Sequence, residues 1–415
     1  MQDVTETERK GIPRGLGRQG PVLLSYGFRP FFLGAGLWAI AAVIIWIAVF
    51  NGWLEIAGRY GQTAWHAHEL LFGFMPAVLV GYLMTTVPNW TGRFPLSGTP
   101  LAWLVFIWLA GRVSMLSIDE APVLVAVLID WIFLPLFAFF CLREVLAAKR
   151  ISDTKPILSV TLLAILNGGF HFAAMTGGDA GMWARAALSV YILLVAATAG
   201  KLIPSFTNSW LAQNGRSRLA SGDPRMDRLV LVTTQFASIL WILSPSAILT
   251  AVLAAMAANF HFLRLQAWFR PAILRSSLII AMQASYAFIP LGLLGIAAAS
   301  RNLLGQTAAL HLFSIGAVSG MMLAIMNRSI RLHTGRNIQQ SWPLRLSVPC
   351  VLLAAVLRGT ADFTPGEYDV LITCAGAMWI AGFACFLWDN ASLLCHVQRQ
   401  PGRQPSPPPA RINMR

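Results

Sequence analysis

Residues 30–50 read PFFLGAGLWAIAAVIIWIAVF, an unbroken apolar run without a single charge. At 1.5 Å of rise per helical residue such a run is long enough to cross the ~30 Å hydrocarbon core of a bilayer. Further runs follow along the rest of the chain. The spacing predicts twelve spans, at 30–50, 64–88, 101–118, 122–147, 156–176, 183–206, 228–243, 247–269, 276–299, 306–331, 344–358 and 369–397. The composition of the 415 residues agrees: 56% are hydrophobic, only 12% are charged, and the mean hydropathy is +0.63. Soluble proteins carry about twice that share of charge. A soluble enzyme, a disordered chain and a nucleic-acid binder are therefore excluded as first readings. The fold class expected is an all-α polytopic membrane protein whose partner is the lipid bilayer.

The net charge of +14 follows from topology rather than from an anionic partner. Across alternating connections, 25 of the 31 Lys and Arg fall on one side, whereas Arg59, Arg112, Arg185, Arg301 and Arg358 fall on the other and Lys201 lies within a span. This is the positive-inside pattern, and it places both termini in the cytoplasm. The expected organisation is a cytoplasmic segment over 1–26, a membrane domain over 27–397 and a Pro-rich, basic, disordered tail over 398–415. Residues 1–26 lack the apolar core of a cleaved signal peptide. The five cysteines include no CxxC pair, so neither a disulfide framework nor a thiolate zinc site is indicated.

A weak internal repeat links spans 2, 6 and 10, which run in the same direction. Val87-Pro88-Asn89-Trp90-Thr91 closes the second and Ile203-Pro204-Ser205-Phe206-Thr207 the sixth. His68 precedes Thr91-Gly92-Arg93 by the distance at which His311 precedes Thr334-Gly335-Arg336, with Gly73 and Gly316 also in register.

Ionisable side chains inside spans are costly in hydrocarbon and mark interiors or cavities. His66, His68 and Glu69 open span 2, His171 lies near the same end of span 5, and His311 near that end of span 10, all within roughly 10 Å of the outer face. Asp130 in span 4 lies slightly deeper. Imidazole is the commonest metal ligand and an axial ligand of haem, so four histidines at one depth point to a metal or haem site. His66 and His68 are two apart and diverge by about 160° on a regular helix; they serve two sites, or one of them bonds elsewhere. Asn167 precedes His171 by four and shares its face. His261 reads as an interhelical hydrogen-bonder. Arg29, Arg93, Lys201, Arg328, His333 and Arg336 form a polar set at the cytoplasmic end, where they are solvated surface or contacts for an anion.

Gly27-Phe28-Arg29-Pro30-Phe31-Phe32, Trp65-His66-Ala67-His68-Glu69 with Phe72-Gly73-Phe74, and Val87-Pro88-Asn89-Trp90-Thr91-Gly92 together resemble the NnrS family. Ile203-Pro204-Ser205-Phe206-Thr207-Asn208 and the stretch from His311 to Arg336 extend the likeness over almost the whole chain. Ala199-Gly200-Lys201 departs from the Gly-Gly-Arg expected there, which keeps the charge but weakens bidentate anion recognition. The resemblance implies a bacterial inner-membrane protein with haem b and copper, linked to denitrification and nitrosative stress, and acting on nitric oxide by reduction, scavenging or binding. If it is an enzyme, it is a nitric-oxide-related metallo-oxidoreductase. A more distant likeness joins the chain to the catalytic subunit of haem-copper oxidases and nitric oxide reductases, in which twelve spans form three four-helix arcs and helices 2 and 10 supply haem histidines. That family's copper-centre histidines on helices 6 and 7 have no counterpart here. These likenesses imply His68 and His311 as the axial pair of a haem, with Gly73 and Gly316 making room for it. His66, His171 and Glu69 are the copper candidates, and Asp130 and Asn167 supporting groups. Two rival readings stand beside this one, a transporter for a nitrogen oxide, metal or metal complex, and a redox or gas sensor.

Overall fold

The computed structural model describes residues 20–93, 95–149, 154–219, 222–335 and 341–396. Among these residues twelve helices are long and apolar enough to cross a membrane, and there is no strand. They are α1 (Phe28–Phe50), α2 (Gln62–Thr91), α3 (Thr99–Leu116), α4 (Val123–Ala147), α5 (Pro156–Thr176), α6 (Ala180–Gln213), α7 (Pro224–Leu243), α8 (Ile248–Trp268), α9 (Ser277–Ala299), α10 (Gln306–His333), α11 (Trp342–Phe363) and α12 (Pro365–Cys395). Each overlaps one expected span. α6 and α11 outrun their expected bounds because a helix does not stop where its apolar stretch does; α6 continues through Asn208 and Ser209 to Gln213. The 398–415 tail and most of the 1–26 segment lie outside the described residues.

Consecutive helices pack side by side, and α1 packs against α12 to close the ring. Within it α2, α6 and α10 touch one another. These three hold the same place in each four-helix unit, as the repeat suggested. The lipid-facing side keeps large apolar residues exposed, Phe106, Phe139, Ile165 and Leu243 among them, because hydrocarbon does not drive them inward.

Two local irregularities position polar groups. α2 and α10 each pass from α- to π-helix immediately after a histidine, over Glu69–Phe74 after His68 and over Leu312–Ser319 after His311. A π turn carries an extra residue and re-aims the side chains beyond it. The carbonyls of Leu71 and Gly73 within the first π segment accept bonds from Tyr191 Oη (3.0 Å) and Trp108 Nε1 (3.0 Å). In α4, Pro135 supplies no N–H for the Trp131 carbonyl, and the helix breaks between Trp131 and Phe133. That break comes two residues after Asp130.

Candidate metal centre

His68, Glu69, Arg112, Asp130, Asn167 and His171 come from four helices and are all buried. Asp130 is the hub. Its Oδ2 lies 3.1 Å from His68 Nε2, 3.0 Å from His171 Nε2 and 3.0 Å from Asn167 Nδ2, while its Oδ1 receives Arg112. Arg112 also donates to Glu69 Oε2 at 2.5 Å. Two glycines permit the approach. A Cβ on Gly111 would press on the Asp130 backbone, and one on Gly73 would collide with the Arg112 guanidinium. Gly73 therefore makes room for Arg112, and Gly316 for the Phe288 ring; neither glycine opens onto the space expected for a macrocycle.

The outer nitrogens of both imidazoles are also fixed. His68 Nδ1 lies 3.0 Å from Glu69 Oε1, and His171 Nδ1 lies 2.9 Å from Tyr60 Oη. Tyr60 sits in the α1–α2 connection, where the Asp119 carboxylate accepts from the Gly58 and Arg59 amides (2.8 and 3.1 Å) and Gly61 turns the chain into α2 with φ +94°. Only glycine enters that conformation without strain. Burial, with Asp130 and Glu69 nearby, holds the Tyr60 phenol well above its ordinary range, so it stays protonated at neutral pH: without an ion it donates to His171 Nδ1, and with an ion on Nε2 the tautomer reverses and its oxygen accepts from Nδ1–H.

This is a metal-ready donor set. The ligand atoms of His68, Asp130 and His171 lie within 4.8 Å of one another. The Nε2 atoms of both rings converge on one carboxylate oxygen, and each Nδ1 is held by a carboxylate or hydroxyl, as the outer nitrogens of metal-binding imidazoles usually are. Without an ion, every contact is a hydrogen bond only if His68 carries both ring protons. His68 and Arg112 then balance Glu69 and Asp130, as an uncompensated buried charge would otherwise cost several kcal/mol.

A second pair forms at the same end of the bundle. The rings of His66 and His311 are nearly parallel, 17° apart in plane and 6.5 Å between centroids, and Trp46 stacks on His66 at 4.2 Å. The buried Nδ1 of His66 has no hydrogen-bond partner among the described residues. His311 Nδ1 donates to the Thr307 carbonyl at 2.7 Å, which leaves its Nε2 with a lone pair for a ligand. Arg358, on α11, donates to Asp362 (3.1 Å) and Tyr368 (3.3 Å), and its charge reaches both imidazoles.

The structure thus brings His311 to His66 and His171 to His68. The expected partners, His68 with His311 and His66 with His171, are not the ones it sets side by side. The reason is the two-residue offset: the rings diverge around α2, His68 toward α4 and α5 and His66 toward α1 and α10. Glu69, Asp130 and Asn167 join the first group. The polar set at the opposite end is dispersed. Arg29 caps α12 through the carbonyls of Leu393 and Leu394 (3.0 and 2.9 Å), Arg93 pairs with Glu144, and Arg328 lies 3.5 Å over the Phe206 ring. His333 packs on Tyr26 and Phe28, Lys201 is exposed, and Arg336 lies outside the described residues. Sequence reasoning missed Arg112, taken as an outer-side charge, and Tyr60. An arginine inside the apolar run of α3 was itself the available signal for Arg112.

A family model described as NnrS protein matches residues 22–398, nearly the whole chain. No curated protein matches it.

Proposed function

The chain belongs to the NnrS family, and we propose that it is a haem- and copper-binding protein of the bacterial inner membrane that handles nitric oxide. Membership supports a nitric-oxide-associated membrane protein, and the twelve apolar helices make it multi-pass. The observation that carries the metal reading is the convergence of two imidazole Nε2 atoms on the Asp130 carboxylate, with both Nδ1 atoms already held.

In this reading His68, His171 and Asp130 would hold copper, which imidazole suits. Copper supplies a redox-active ion that binds small gases. Glu69 and Tyr60 fix the two ring orientations through the outer nitrogens. Arg112 offsets the carboxylate charge, which lets a cationic site persist in a dry interior. Phe72 and Phe170 stand 5.6 and 6.0 Å from His68 and exclude water from that side.

The nitrogen donors of His66 and His311 suit the iron of a haem b. His66 through its unpartnered Nδ1 and His311 through its Nε2 would be the residues to hold it, and Arg358 would offer a cation to its carboxylates. Haem supplies a gas-binding iron. The positive-inside pattern puts these sites near the periplasmic face and both termini in the cytoplasm. Reporter fusions at Gly178 should then read as periplasmic and fusions at Gly215 as cytoplasmic.

The experiment is a visible spectrum with metal analysis on four purified variants. His68→Ala and His171→Ala should lose copper and keep the Soret band, whereas His66→Ala and His311→Ala should lose or alter the Soret band and keep copper. Full retention of both cofactors in all four would end the proposal. Loss of haem in His68→Ala with copper intact would assign His68 to the haem instead.

A further inference from the structure

Far from the four clustered histidines, a cavity of about 370 Å³ opens between α9, α10 and α11. Its walls are apolar, with Ala281 and Ala284 on α9 facing Val348 and Leu352 on α11. Its polar end is formed by Arg328 and Arg331 of α10 and Arg345 of α11. Arg328 is seventeen residues beyond His311, roughly 25 Å along the helix.

The charges at this end are not balanced. Arg331 pairs with Asp389. Arg328 rests on the Phe206 ring and has no carboxylate partner among the described residues, and Arg345 is exposed and also without one. A second cavity of about 330 Å³ between α2, α3 and α4 shows the contrast, because there Arg93 and Arg143 both bond to Glu144. α11, which forms one wall of the first cavity, also presents lipid-facing side chains, with Leu346 and Leu353 each 46% exposed and Trp342 at its start 65% exposed. A tryptophan at a helix end marks the headgroup level of a bilayer.

We propose that this cavity binds an anionic phospholipid, with its phosphate between Arg328 and Arg345 and an acyl chain along Ala281 and Ala284. Guanidinium groups match phosphate oxygens bidentately, and basic pockets between spans suit anionic headgroups. The two alanines supply the width for a methylene chain. A zwitterionic lipid carries its own ammonium and leaves the arginine excess unmatched, and free phosphate leaves the apolar walls empty. The bound lipid braces α10, which carries His311, against α9 and α11. The proposal is independent of which metal the histidines hold.

The test uses the full chain, purified in neutral detergent, stripped of lipid and titrated with phosphatidylglycerol, phosphatidylcholine of the same chains, or inorganic phosphate. Native mass spectrometry and the unfolding midpoint are the readouts. Phosphatidylglycerol should give a saturable adduct and a higher midpoint, and the other two should not. Arg345→Gln and Arg328→Gln should each weaken that binding by roughly fivefold. Ala284→Leu, which fills the acyl groove and leaves the charge intact, should weaken it as well. Arg345 is exposed, so its variant folds whatever Arg328→Gln does. Equal binding of phosphatidylcholine overturns the proposal, as does an equal response to inorganic phosphate. Unchanged phosphatidylglycerol binding in both Arg345→Gln and Ala284→Leu overturns it too.

Discussion

Two buried polar clusters, one in α2–α5 and one in α6–α9, are built from similar parts with different results. Each holds an arginine admitted by a glycine, Arg112 by Gly73 and Arg264 by Gly200. Each holds a histidine with both ring nitrogens engaged. In the second cluster His261 meets Thr234 Oγ1 at 2.8 Å and Tyr286 Oη at 2.7 Å, both neutral hydroxyls. Arg264 reaches Asp227 at 2.6 Å and the Ala196 carbonyl at 3.1 Å, and the Asp227 side chain is half exposed. The first cluster instead turns two imidazoles onto a single buried carboxylate oxygen. Hydroxyls and a backbone carbonyl spread the bonds over four helices and make a joint. A shared carboxylate gathers lone pairs at one point and makes a place for a cation.

The largest effect should come from the hub. Asp130→Ala leaves Arg112 with Glu69 alone and removes the common acceptor of both histidines, so a loss of about 3–5 kcal/mol is expected from breaking a buried ion network. Membrane yield and the unfolding midpoint check it. The glycine pair sharpens the contrast next. Gly73→Ala and Gly200→Ala each push against a guanidinium and should destabilise by about 1–3 kcal/mol, but only Gly73→Ala should lower the bound copper per protein. A matching drop in Gly200→Ala would erase the distinction. His261→Phe removes bonds to neutral partners and should cost about 1–2 kcal/mol with metal content unchanged.

The smallest effect falls on Tyr60. Tyr60→Phe loses one bond to His171 Nδ1, about 1 kcal/mol, with a modest fall in copper affinity. The phenol is raised in the folded state, so its contribution is fully present below its unfolded value near pH 10. It is lost as pH rises from there through the folded value. The wild type should therefore lose stability above about pH 10 more steeply than Tyr60→Phe. Parallel alkaline profiles would remove Tyr60 from the network.

The spans were legible because bilayer-crossing length is a local property of the chain. His68, Glu69, Asp130, Asn167 and His171 were legible as candidates for a similar reason, since each is a polar group inside an apolar run. Their grouping was not. Whether His66 or His68 meets α10 depends on the rotation of α2 about its own axis, and the π segment after His68 changes that rotation without a sequence mark. Gly73 was noticed for the space it leaves, but the occupant of that space, Arg112, lies on another helix 39 positions away. The repeat between spans 2 and 10 carried more than its few identities suggested, since both helices turn π at the residue after the histidine.

The most direct measurement is copper-edge X-ray absorption on the purified, copper-loaded protein and on His68→Ala/His171→Ala. Imidazole scattering with an oxygen ligand is expected in the wild type, and loss of both the bound copper and that pattern in the double variant. An unchanged copper content and spectrum in the double variant would contradict it.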